Sequence, residues 1–283
     1  MRWETQMPED EPDLPQFEFA DELQESGKHC ATLARATNVA RGFIPNTDDP
    51  TATVTFILFE GKTYAVTAGH VIDIFRKASA KEDVDFEGYF VPAQPVTCIG
   101  PPFVTPPARF PDAAPDIALR PIDSGLPAHL GKQPFELLKN AIPTFPLPYA
   151  LAVGFPTAEK KQTHDDRVAL QCVWAVAQGL QSPDRDQVQF WSEIPNRPNI
   201  GKLSGMSGGP VFWSDGTAFG LLGFVKEALD VMHEEGEETL YPDPKVNFIC
   251  QRASYETFAA WAEYADREFP LQRGAINEAI SRS

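Results

Sequence analysis

A mainly β chain with a helix near its end is the fold class this sequence predicts, and three observations carry it. β-Branched and aromatic residues fill positions 51–59 and 63–67 on either side of Glu60-Gly61-Lys62. Such residues suit a pleated, half-buried surface, and a glycine-bearing turn between two such runs reads as a hairpin. Prolines are dense between Val91 and Pro115 and again between Asp123 and Pro148, where a helix would lose main-chain hydrogen bonds and clash with the rings. After Ser254, by contrast, Tyr255, Phe258, Trp261, Ala262 and Ala265 recur at helical spacing, and the serine is placed to cap that helix.

The first 25 residues hold nine carboxylates against one base, Arg2, with Pro8, Pro12 and Pro15 among them, and supply half of the net charge of −16. Little there can be buried, so residues 1–28 read as an acidic, solvated arm, with a docking or inhibitory segment as the rival reading. The hairpin of residues 51–67 opens a first unit spanning 29–145, and His70 follows it directly. Val71 to Lys77 has room for one or two helical turns. The proline-rich stretch after Val91 suits short strands and irregular connections, and Asp116 then stands immediately before the apolar strand Ile117-Ala118-Leu119.

Asp123 to Pro148 reads as the linker to a second unit, spanning 146–253. Leu151 to Pro156, Val168 to Ala177 and Gln187 to Ile194 are its expected early strands, with Glu159 to Arg167 as a polar hairpin tip that leaves His164 in solvent. Glu227 to Pro244 is an acidic loop. The closing segment, 254–283, is expected to pack its aromatic stripe on the second unit, or else to offer that stripe to a partner.

With 283 residues, 42% of them hydrophobic, the chain can hold one two-unit body and no further large domain. A pI near 4.7 argues against nucleic-acid binding, which needs clustered Lys and Arg. The start Met1-Arg2-Trp3-Glu4-Thr5 lacks the basic flank and apolar core of a secretion signal, and no run of about 18 apolar residues occurs. The expectation is a soluble cytoplasmic protein with no membrane contact. Cys30, Cys98, Cys172 and Cys250 are scattered, without metal-type spacing, and are expected to be reduced structural thiols. No metal or other cofactor is expected.

The chemistry is concentrated in Gly205-Met206-Ser207-Gly208-Gly209-Pro210-Val211. A serine flanked by glycines can be presented on a tight turn to attack a carbonyl carbon. The same pattern also fits a nucleophile elbow, but an elbow needs acid and histidine after the serine. The one later histidine, His233, sits in the acidic stretch Met232 to Gly236. Upstream, Thr67-Ala68-Gly69-His70-Val71 and Pro115-Asp116-Ile117-Ala118-Leu119 supply a base and an acid. The order is His, Asp, Ser, with separations of 46 and 91 positions.

In these three segments the chain resembles the trypsin-like, chymotrypsin-fold serine peptidases, in which the histidine, acid and serine occur in motifs of this kind and in this order. The resemblance implies an all-β fold of two packed, six-stranded antiparallel β-barrels with a C-terminal α-helix and a catalytic cleft between the barrels. It implies a serine endopeptidase with Ser207 as nucleophile, His70 as general base and acid, Asp116 as orienter, and the N–H groups of Gly205 and Ser207 as the oxyanion hole. Gly201 then falls at the base of the primary pocket, and Gly223, Phe224 and Val225 on the strand that pairs with substrate. A small or neutral side chain before the scissile bond follows, with Lys202 and Lys226 favouring acidic groups as the alternative. Met206 stands where digestive relatives carry an aspartate that pairs with a freed N-terminus, so the oxyanion loop must be ordered otherwise, constitutively or by an activating partner.

The expected substrate is a protein or peptide, cleaved in limited, regulatory fashion. Two other classes remain open: a catalytically silent double-barrel scaffold or binding protein, and an acyl hydrolase for small esters.

Overall fold

A computed structural model of the chain describes residues 25–36, 50–81, 88–91, 97–100, 102–107, 114–157, 160–164, 167–180, 187–193, 203–215, 219–230 and 245–282. The expectations for the acidic arm up to residue 24, for Gly201 and Lys202, and for the loop 231–244 with His233 lie outside these residues.

Seven strands make the first sheet: β1 (Cys30–Ala36), β2 (Thr51–Phe59), β3 (Lys62–Thr67), β4 (Gly88–Val91), β5 (Thr97–Ile99), β6 (Ala118–Ile122) and β7 (Phe135–Glu136). Their order is β5-β4-β1-β2-β3-β6, all antiparallel, with the two-residue β7 added to β2 in parallel. Glu60 and Gly61 join β2 to β3 with φ of +47° and +76°, the two positive values that match a tight connection to the twist of a hairpin. Helix α1 (Gly69–Lys81) leaves directly after β3 and is longer than the one or two turns expected. Pro121 lies in β6, an edge strand where a missing N–H is tolerated.

The second half contains β8 (Leu147–Gly154), the separate hairpin β9 (Lys160–His164) and β10 (Arg167–Leu170), then β11 (Val173–Leu180), β12 (Gln187–Glu193), β13 (Pro210–Ser214), β14 (Phe219–Asp230) and β15 (Lys245–Arg252). The second sheet is antiparallel, ordered β11-β8-β13-β14-β15-β12. Its two edge strands approach one another: the Ser192 hydroxyl of β12 donates to the Val176 carbonyl of β11 at 2.8 Å, without a ladder between them among the described residues.

Alternation decides what each sheet buries. Leu33, Val54, Phe56, Ala65, Ile72 and Phe75 form a core inside the first sheet, and Ala152, Met206, Val211, Leu222 and Phe248 belong to one inside the second. A third core lies between the sheets, where Ile57, Tyr64 and Leu119 meet Val153, Phe212 and Phe224. Burial of this kind is the main favourable term in folding. Because the third core draws on both halves, it fixes the two sheets against each other.

Leu126–His129 form the short helix α2, and helix α3 (Tyr255–Arg282) begins as expected, with the Ser254 hydroxyl accepting the Thr257 N–H at 3.1 Å. Its docking corrects the expectation that it covers the second unit. Phe258 packs on Phe59 and Tyr64, with ring centroids 5.3 and 5.8 Å apart. Asp266 accepts from Lys62 and Tyr64, and the Arg120 guanidinium lies 4.8 Å from the Phe269 ring centre. The first sheet presents an aromatic surface on β2 and β3 with donors beside it, which suits a stripe that also carries Asp266.

Residues 25–28 of the expected acidic arm are among those described. Ser26 is buried and accepts the Trp174 indole N–H at 3.1 Å, and Gly27–His29 form a 3-10 turn leading into β1.

Candidate active site

His70 is the second residue of α1 and Asp116 lies two residues before β6, on the neighbouring connection. The Asp116 carboxylate accepts twice from His70: from ring Nδ1 at 2.7 Å and from the main-chain N–H at 2.8 Å. The second bond also satisfies a donor in the first helical turn. A Cβ on Gly69 would stand 3.0 Å from Asp116 Oδ1, so a side chain there would crowd the carboxylate. Burial pushes the Asp116 carboxyl up. The His70 ring and main-chain bonds, with the nearby charges of His70 and Lys226, outweigh that and hold it below its ordinary value. The side chain of His70 is 37% exposed and that of Asp116 only 17%, so the imidazole faces solvent while the carboxylate beneath it does not. Gln251 of β15, itself buried, accepts the Asp116 N–H at 3.4 Å.

The serine loop reaches this pair through β2. Thr53 N–H donates to the Ser207 carbonyl at 3.1 Å, the Thr53 hydroxyl to the Gly205 carbonyl at 2.7 Å, and the Thr55 hydroxyl to the Gly208 carbonyl at 2.8 Å. Thr67, three residues before His70, ties back to the Thr53 carbonyl at 2.8 Å. All three threonines are fully buried. Gly208, at φ +87°, lies so close to β3 that a Cβ would meet Thr67 Cα at 2.7 Å, and no side chain fits there. The turn carrying Ser207 therefore abuts the strand that delivers His70.

Within the loop, Met206 N–H donates to Leu203, Gly208 N–H to Val225 and Gly209 N–H to Met206. Among the described residues the N–H groups of Gly205 and Ser207 have no such partner. Two N–H groups without a partner among the described residues, at Gly205 and at Ser207 itself, have the placement that an oxyanion site requires. The Ser207 hydroxyl donates to the Lys226 carbonyl at 3.1 Å, not to His70. Met206 is fully buried in the second core, so an apolar anchor takes the place of an ion pair in ordering the loop.

Gly223, Phe224 and Val225 are less available than the resemblance implies. They pair with β15 on one side, β13 covers Gly223 and Phe224 on the other, and Val225 is held there by Gly208 and Gly209. Phe224 and Val225 are buried. Beyond Val225, β14 keeps β15 as a neighbour while β13 has ended, so among the described residues the strand has a free edge from Lys226. A cavity of about 300 Å³ lined by Leu137, Ile142, Arg252 and Tyr255 lies by the linker and the start of α3, and none of the candidate site residues lines it.

Sequence reasoning did not single out Thr53, Thr55, Thr67 or Gln251. Threonines at every second position at the start of β2, and on one face of β3, were the available signal, since buried hydroxyls need partners. Among the described residues no group of three or more His, Cys, Asp or Glu could hold a metal ion, and no helix is long and apolar enough to cross a membrane.

No protein-family model matches the chain, and no curated protein does. Among solved structures it is similar to a thermostable serine protease, AL20, from an extremophilic microorganism, at 15% identity over 83% of this chain and 97% of that one, TM-score 0.42. It is similar to the protease Anisep from Arthrobacter nicotinovorans, at 10% identity over 81% and 91%, TM-score 0.40. A third likeness is to the scabies mite inactivated protease paralogue S-I1, at 12% identity over 86% and 96%, TM-score 0.44. Likenesses this distant decide nothing about chemistry.

Proposed function

We propose that this chain is a serine endopeptidase of the two-barrel, chymotrypsin-like type, acting in limited cleavage of a partner protein. The observation that supports it most is the doubly bonded His70–Asp116 pair beside a serine loop with two N–H groups that have no partner among the described residues. The ring Nδ1–H donated to Asp116 leaves Nε2 as the basic nitrogen. The Ser207 hydroxyl turns from the Lys226 carbonyl to that nitrogen, loses its proton to it and attacks the substrate carbonyl carbon. The oxyanion accepts from Gly205 and Ser207 N–H, and His70 returns the proton to the leaving amine. Water, activated by the same histidine, then releases the acyl group. Substrate main chain pairs with the edge of β14 from Lys226 onward, which puts a lysine beside the reacting bond.

The Ser207–Lys226 bond favours a second reading, a site closed until a partner opens it, or a silent scaffold. Reaction with a fluorescent fluorophosphonate separates the two. Labelling at Ser207, lost in Ser207→Ala and His70→Ala, is the expected result. A folded protein that stays unlabelled would refute a constitutive peptidase. Peptide and small-ester panels then distinguish endopeptidase from esterase.

A further inference from the structure

The cavity by the linker and the start of α3 has a volume of about 300 Å³, at the lower end of the range usual for small-molecule sites, about 300–1,000 Å³. Leu221 and Leu222 of β14 both line it; the first belongs to the core between the sheets and the second to the core inside the second sheet. Its apolar wall is thus continuous with both cores. Ile142 of the linker lines it too, although 71% exposed, which puts an apolar side chain at the mouth.

The hydroxyls around the cavity are already committed. Tyr255 donates to Glu60 at 2.7 Å. The Ser254 hydroxyl accepts the Thr257 N–H and lies 3.0 Å from the Thr257 hydroxyl, while the Ser254 carbonyl accepts the Phe258 N–H, so the cap closes the end of α3 on itself. What remains is charge, from Arg252, Lys139 and Glu256. Arg252 is anchored at both ends: its main chain pairs with Gly223, and its guanidinium lies 5.9 Å from the Phe145 ring centre, within reach of a cation–π contact. Neither Arg252 nor Lys139 makes an ion pair among the described residues. Glu256 stands in the first turn of α3, where a carboxylate complements the helix dipole. Two cations against one carboxylate leave this lining positive, in a chain whose net charge is −16.

We propose that this cavity binds a small apolar monocarboxylate, its carboxylate on Arg252 with Lys139 beside it and its apolar body against Leu221, Leu222 and Ile142. The planar guanidinium fork matches the two oxygens of a carboxylate. The volume holds about ten groups the size of a water molecule, which is the length of an eight-carbon acid. A phosphate dianion would be stripped of water against leucines with too few donors to replace it. None of the residues proposed for catalysis lines the cavity, so the site stands whether or not the chain is a peptidase.

The test titrates the folded, full-length protein with octanoate and, separately, with octanamide, which has the same shape and no charge, and reads heat by calorimetry and ligand signals by saturation-transfer NMR. One octanoate per chain is expected, bound at least about tenfold more tightly than octanamide. Arg252→Met is expected to remove that preference and leave octanamide binding unchanged, and Ala141→Trp, which fills the cavity, to abolish both. If Arg252→Met fails to fold, Ile142→Asp decides instead: this position is exposed, and a carboxylate at the mouth is expected to weaken octanoate more than octanamide. No octanoate binding by the folded wild type, equal affinity for the acid and the amide, or octanoate binding that survives Ala141→Trp would overturn the proposal.

Discussion

At the scale of single residues, Asp116 does two tasks with one carboxylate. Its Oδ2 holds the His70 ring and its Oδ1 closes the first turn of α1, so orientation of the imidazole and capping of its helix are coupled. Asp116→Asn keeps the shape but can present an N–H where the ring needs an acceptor. Turnover is expected to fall by roughly 10³- to 10⁴-fold, read as kcat on a peptide substrate. The carboxyl is held below its ordinary value of 3.8, so the folded protein binds fewer protons than the unfolded chain between the two values and stability rises with pH across that window. The pair's contribution is therefore complete above the ordinary carboxyl value and is lost as pH falls through the lowered one. Acid unfolding followed by circular dichroism should show this step in the wild type and lose it in Asp116→Asn.

At the scale of elements, β2 is the platform of the site. Thr53 and Thr55 share one face of it with Ile57 and Phe59, and their hydroxyls hold the carbonyls of Gly205 and Gly208 on either side of Ser207. Thr53 also accepts the Phe155 N–H at 3.0 Å, so one hydroxyl links the serine loop to β8. Thr53→Val keeps the volume and removes the hydroxyl, leaving two buried main-chain groups unpaired. A loss of about 1–3 kcal/mol is expected by urea unfolding, together with slower fluorophosphonate labelling of Ser207 as the loop loosens. Unchanged labelling would mean that the loop is held by Met206 and Gly208 alone. The hairpin of β2 and β3 and the Ser254 cap of α3 were legible from the residues themselves, because alternation and capping are local. The register that sets Lys226 beside Ser207 was not, because it arises from pairing Gly208 and Gly209 with Val225 across a loop.

At the scale of the whole molecule, the core between the sheets makes the two halves depend on each other. Phe258 of α3 is fully buried there, against Phe59, Tyr64 and Trp261. Phe258→Ala is expected to cost about 3–5 kcal/mol. Scanning calorimetry should show that loss as one transition moved to lower temperature, with calorimetric and van't Hoff enthalpies in agreement. Two separated transitions would mean that the sheets fold independently and that the shared core adds little.

What the sequence by itself determined is the local and the ordered: strands where β-branched residues alternate, a capped helix after Ser254, and a histidine, an acid and a serine in a chemically meaningful order. Tertiary structure alone decided which sheet receives α3, where β13 stops covering β14, and which hydroxyls brace the loop. Those outcomes depend on contacts between residues a hundred or more positions apart, such as Thr53 with Gly205 and Tyr64 with Asp266. Periodicity and capping act within a few residues, and they carry no information about which distant surface will be complementary.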